Sequence, residues 1–226
     1  MCLFDADKPH FATWLCIYNE DRPSQSMASI HPSKPEAIPL YYATLLGFRD
    51  LAKHLISEHP EHVSARGGTH HTPMHAAAAA GQADILSLLI QGGVDVNSWD
   101  NGDRTPLFLA PYNGRLEAGE FLLNHGADIE ARNTNNNTAL IYAIDRDDIE
   151  FARMLLERGA VVNFRCQGDG TPLHRAAGFG RIKLVRLLLE HGADANARDK
   201  FGYPPSWLTT HLELIELLSK FSALSL

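Results

Sequence analysis

The sequence predicts an all-α solenoid of 33-residue helix–turn–helix units, and three observations predict it. Thr72-Pro73-Met74-His75 recurs as Thr105-Pro106-Leu107-Phe108, Thr138-Ala139-Leu140-Ile141 and Thr171-Pro172-Leu173-His174, each 33 residues after the last, and Pro204-Pro205-Ser206-Trp207 takes the next slot. A second signature keeps the same step: Gly93-Val94-Asp95, Gly126-Ala127-Asp128, Gly159-Ala160-Val161 and Gly192-Ala193-Asp194. Between the two lie apolar residues at helical spacing, such as Ile85, Leu88 and Leu89, or Leu184, Leu187 and Leu188.

Each element follows from its residues. Residues 1–37 are not a repeat: Phe11, Trp14, Leu15 and Tyr18 fall on one face of a short helix, and Pro23, Pro32 and Pro35 with four serines read as a linker. That helix is expected to dock as an N-terminal cap. A degenerate unit, 38–71, is one residue longer than the regular units 72–104, 105–137, 138–170 and 171–203, and 204–226 forms a shortened C-terminal cap. In a regular unit Thr caps the first helix, and Pro at its first position has no amide to waste. Ala76/Ala77 and Ala176/Ala177 let helices approach closely, and the Gly of the second signature takes the left-handed C-cap. Pro111 should kink or end the first helix of its unit, and Asp147 stands where Gly81, Gly114 and Gly180 turn between helices. In the last unit the inter-helix turn is about three residues short, and a helix over 212–218 should close the stack with Phe221, Leu224 and Leu226 trailing behind it.

With these motifs the chain resembles the ankyrin repeat family over residues 38–226, and the run HRAAGFGRIKLVRLLLEHGADANARD from His174 to Asp199 is close to that family's consensus. The resemblance implies an ankyrin-repeat α-solenoid in which a β-hairpin finger, such as 194–199, leads into each Thr-Pro. It also implies a concave groove lined by fingers and first helices, used to bind proteins. The run from Phe11 to Asp21, a Pro-rich stretch and Pro39-Leu40-Tyr41-Tyr42-Ala43 looks like the junction in fungal NACHT-type signalling proteins, where an NTPase precedes an ankyrin array. No GxxxxGK[ST] phosphate loop occurs in the chain itself.

Composition narrows the function. Net charge −7 disfavours a grip on bare nucleic acid, and no apolar run approaches the roughly 20 residues of a membrane helix. Three cysteines without CxxC spacing suit a reducing compartment, so a cytosolic protein is expected. Nothing points to catalysis: GxSxG and HExxH are absent, and a hydrolase built on the His-rich 54–75 stretch is the weakest reading. His59-Pro60-Glu61-His62 has a metal-like spacing, but Pro60 interrupts any helix and guarantees no shared ligand face. No metal and no cofactor are therefore expected.

What remains is surface. Motif phase places the aromatics Tyr42, Tyr112, Tyr142 and Phe179 on the groove side, with Arg146 and Arg175 selecting acidic contacts. A finger column, Arg66, Trp99, Arg132, Arg165 and Arg198, repeats every 33 residues. The partner-binding set is thus Trp99, Tyr112, Arg132, Tyr142, Arg146, Arg165, Arg175, Phe179 and Arg198. The expected role is a non-catalytic scaffold, monomeric apart from weak association through the C-terminal tail, for an unidentified protein or peptide. Alternatives are a sensor module of a larger NACHT-type NTPase or a substrate adaptor. Charge is polarised, with 171–203 at +3 and 72–104 at −3.

Overall fold

The computed structural model describes residues 39–65, 72–113 and 116–224, and among them are eleven α-helices and no strand. The expected N-terminal docking helix and linker, Arg66 and Leu226 lie outside the described residues. In chain order the helices are α1 (Pro39–Leu45), α2 (Arg49–Glu58), α3 (Pro73–Ala80), α4 (Ala83–Gln91), α5 (Pro106–Leu109), α6 (Leu116–Asn124), α7 (Ala139–Arg146), α8 (Ile149–Glu157), α9 (Pro172–Gly178), α10 (Ile182–Glu190) and α11 (Leu212–Leu224). Each helix touches its own partner and the equivalent helix of the next unit, so α1, α3, α5, α7 and α9 form an inner layer and α2, α4, α6, α8, α10 and α11 an outer one. No helix pair can cover its own apolar face, and one continuous core runs from Leu40 to Leu218.

Local chemistry explains the turns. The Thr72 hydroxyl accepts the His75 amide, and Thr171 forms a reciprocal capping box with His174. Gly93, Gly126, Gly159 and Gly192 all have φ between +83° and +91°, as a left-handed C-cap demands. Asp147 takes that conformation at φ 59° despite its Cβ. Pro111, which has no N–H and crowds the preceding turn, ends α5 after four residues and leaves a 3-10 turn over Ala110–Asn113.

Two features differ from expectation. The fingers close as tight turns rather than β-hairpins with strands. Each is closed by two backbone bonds, such as Asp100 N to Arg104 O at 2.9 Å with Asp103 N to Asp100 O at 3.3 Å, or Asp199 N to Tyr203 O and Gly202 N to Asp199 O, both at 3.0 Å, which make a turn and no ladder. The residue opening the turn then takes the amides that follow: Asp199 Oδ1 accepts from Phe201 N and Tyr203 N, both at 2.9 Å, and Asn133 Oδ1 from Asn135 N and Asn137 N. The last helix also does not stop at 218 but continues to Leu224. Phe221 packs against the core, as a residue too apolar to stay solvated should, because it extends the apolar face of Leu214 and Leu218.

Adjacent units are stitched by amide side chains. Asn97 donates to Gly126 O at 3.1 Å and accepts from Asp128 N at 2.8 Å, and Asn163 repeats the pair with Gly192 O and Asp194 N. Both atoms of these amides are thereby committed to the fold.

Candidate protein-binding surface

The fourth residue of each repeat motif decides what the neighbouring surface can do. At His75 and His174 the ring forms a clasp: Nε2 donates to the next finger, to Arg104 O at 2.9 Å and Tyr203 O at 3.0 Å. A carbonyl only accepts, so Nε2 carries the proton and Nδ1 is left to accept from the Thr72 or Thr171 hydroxyl, at 2.6 and 2.9 Å. Burial holds His174 below the ordinary imidazole range, in keeping with a neutral ring.

Phe108 and Ile141 cannot make this clasp, and the Thr105 and Thr138 hydroxyls are buried with no hydrogen-bond partner among the described residues. Phe108 is instead clamped by rings. Tyr142 stacks on it at 5.1 Å, and Trp99 meets it edge-on at 6.1 Å. Trp207, at the same position of the last unit, is 70% exposed, because the first helix there is only a 3-10 turn, Pro205–Leu208.

The residues proposed from sequence fall into three groups. Tyr142 and Trp99 belong to the Phe108 clamp, although Trp99 keeps an exposed face. Arg132, Arg165 and Arg198 are exposed but bind their own fingers. Arg132 reaches Asn136 at 3.4 Å and lies 5.5 Å from the Phe164 ring centre, and Arg198 donates to Gly202 O at 2.8 Å. Arg165 donates to Asp169 O at 2.5 Å and also to Arg198 O, so these cations link successive fingers. Arg175, Arg146 and Phe179 lie at the exposed end of α7 and α9. Arg175 holds Asp145 in a two-pronged pair at 2.7 and 2.9 Å while its guanidinium covers the Phe179 ring at 5.2 Å. The Asp145 hydrogen bonds raise Arg175 further above its already high range. The Tyr112 side chain lies outside what the structure describes, and Tyr42 is buried against Tyr41 rather than facing the groove.

Phe179 borders a groove of about 580 Å³ between α9 and the fingers at 166–170 and 199–203. Its floor includes Thr171 and His174, and its walls include Phe201, Lys200 and Leu208. Phe201, 69% exposed, has the Lys200 ammonium 4.8 Å from its ring centre and continues through Tyr203 to Trp207, with the last two rings stacked at 5.0 Å. Cys166 closes the opposite wall. Its thiol donates to Gly170 O at 2.9 Å, and burial pushes it up, which makes it a poor nucleophile. Burial also pushes the Asp199 carboxyl up, but the Tyr203 and Phe201 amides outweigh that and hold it below its usual range. Sequence reasoning missed Phe201, Tyr203, Trp207 and Leu208. The signal was Trp207 in a slot that holds buried His, Phe or Ile in earlier units.

A family model for ankyrin repeats matches residues 40–133 and 126–199. The chain belongs to the ankyrin repeat family. Ankyrin repeats generally mediate protein–protein interaction and are typically non-catalytic. The ankyrin chain described here is 40% identical over 60 residues to alpha-latrocrustotoxin-Lt1a of Latrodectus tredecimguttatus, covering 26% of this chain and 4% of the toxin. It is 29% identical over 103 residues to azaphilone pigments biosynthesis cluster protein L of Monascus ruber, covering 42% and 22%. It is 36% identical over 58 residues to BCL-6 corepressor-like protein 1 of Mus musculus, covering 26% and 3%. The chain thus spans less than a quarter of the length of each of these relatives. No helix among the described residues is long and apolar enough to cross a membrane.

Proposed function

We propose that this ankyrin array is a non-catalytic scaffold that seats a segment of a partner protein in the groove beside α9. The observation that carries this reading is the exposed aromatic row Phe201, Tyr203 and Trp207 beside that cavity. Aromatic anchors beside a cavity concentrate binding energy in few residues. Phe179 and Arg175 complete the site, Lys200 on its wall favours an acidic segment, and the net charge of −7 disfavours nucleic acid or an anionic lipid surface. Arg146, Arg132, Arg165 and Arg198, with Trp99, Tyr112 and Tyr142 further along the array, extend the same face to a longer partner. The protein would work in the cytoplasm, with no cofactor, as a monomer whose tail helix is occupied by its own core.

Affinity purification tests this directly. A Phe201→Ala, Trp207→Ala variant should stay folded, since both rings are mostly exposed, and should lose at least about tenfold in affinity for the partners the wild type recovers. Recovery of the same partners at the same strength would overturn the groove assignment. A Val161→Ala control alters an exposed apolar residue outside the groove lining and should bind normally. The second reading, a regulatory module of a larger NACHT-type NTPase or a substrate adaptor, draws on the junction residues near the N-terminus.

A further inference from the structure

At the end of α2 the chain enters a 3-10 turn, Pro60–His62, with His59 as its N-cap. Such a turn repeats every three residues, so side chains at i and i+3 eclipse one another. His59 and His62 are so related, and their rings lie face to face at 5.2 Å with 26° between planes. Pro60, which breaks an α-helix and makes the spacing look unproductive in sequence, is what starts the tighter turn that aligns them. Glu61 reaches a nitrogen of each ring: its Oε1 is 3.3 Å from His59 Nδ1 and 3.9 Å from His62 Nε2. One donor atom from each residue lies within 4.8 Å of the others.

These separations suit a metal ion. Ligands bonded at about 2.0–2.2 Å in a tetrahedron sit roughly 3.3 Å from one another, so side-chain rotation alone closes the observed spacing around a cation. All three side chains reach solvent, which leaves water to fill the remaining positions. Two imidazoles with one carboxylate suit zinc and its transition-metal neighbours, whereas calcium and magnesium favour all-oxygen sets.

We propose that His59, Glu61 and His62 form a binding site for one divalent transition-metal cation, zinc by its donor chemistry, at the C-terminal end of α2. The ligands lie within four consecutive residues, so the ion closes almost no chain loop and stiffens the turn more than it stabilises the array. This site is separate from the groove beside α9, and neither depends on the other.

Calorimetric titration of the metal-stripped full chain with zinc chloride should find one saturable site. Glu61→Gln, which keeps the shape and removes the charge, should weaken it at least about tenfold, and the His59→Ala, His62→Ala pair should abolish it. A cobalt(II) titration should give visible bands that disappear in the same variants. Far-UV circular dichroism will show that the folds match, because Glu61 is exposed and the two His side chains are half-exposed. Twelve histidines offer competing sites, so a His70→Ala, His71→Ala chain serves as the comparison and should bind as the wild type does. Unchanged zinc affinity in Glu61→Gln and in the double variant overturns the site, as does loss of binding only in the His70, His71 chain.

Discussion

Units 105–137 and 171–203 occupy the same scaffold and hold themselves together by different means. In 171–203 a polar clasp runs from the Thr171 hydroxyl through the His174 ring to Tyr203 O. In 105–137 that clasp is missing, the Thr105 hydroxyl has no partner among the described residues, and the inner helix lasts four residues before Pro111. Phe108 replaces the clasp with a ring stack that draws on Trp99 before it and Tyr142 after it. The array therefore exchanges hydrogen bonds for aromatic packing at one position, and that exchange draws Tyr142, and Trp99 in part, away from a partner. In 171–203, which keeps its His, Phe201 and Tyr203 stay exposed.

The largest effect should come from removing the clamp. Phe108 is fully buried, and Phe108→Ala should cost about 3–5 kcal/mol, read as a lower urea midpoint, because Tyr142 and Trp99 lose the ring they pack on. Phe108→His tests whether the two devices are interchangeable. It should recover part of that loss by giving Thr105 a partner and the finger carbonyl of Asn137 a donor. A histidine variant no more stable than the alanine variant would break the equivalence.

How much of this was legible in sequence depends on whether the signal was periodic. Thr72, Gly93, Pro111 and Asp147 behave as their positions in the period require, because capping, missing amides and left-handed turns are local physics. The surface was harder. Tyr142 and Phe179 both sit on the groove side by phase, yet one is stacked under a neighbouring ring and the other is 51% exposed. What separates them is a residue from another unit, Phe108, and phase carries no information about such contacts. Arg165 looks like a free cation in its column, but its partners are carbonyls, which every residue has and no sequence displays. Trp207 stands out only once the short first helix of its unit is seen to leave it uncovered.

A smaller effect distinguishes the polar clasp. His174→Ala removes the donor to Tyr203 O and the acceptor for Thr171, and should cost about 1–3 kcal/mol near pH 7.5. The cost should depend on pH with a definite sign. Burial lowers the His174 pKa below its unfolded value of about 6.5, so as pH falls through that value the unfolded chain binds a proton that the folded ring refuses. Wild-type stability then falls from about pH 7 towards 5, the variant lacks that contribution, and the gap between them narrows. A gap that stays constant across this range would mean the ring takes up its proton equally in the folded and unfolded chains, and a gap that widens would mean it is charged in the fold, which would contradict its donor and acceptor pattern.

The smallest effect, and the one that bears most directly on the comparison, belongs to Trp99. Its ring meets Phe108 edge-on yet is 41% exposed, so it can be read as part of the clamp or as an anchor for a partner. As part of the clamp, Trp99→Ala should cost about 1 kcal/mol, and most of that cost should vanish in a Phe108→Leu background, where no aromatic face remains to meet it. As an anchor, the substitution would leave stability nearly unchanged and weaken partner recovery as strongly as Phe201→Ala does. The two outcomes separate cleanly because chemical denaturation reads one and affinity purification the other. The contact favours the first, since Trp99, perpendicular to Phe108 at 6.1 Å, is 41% exposed against 69% for Phe201.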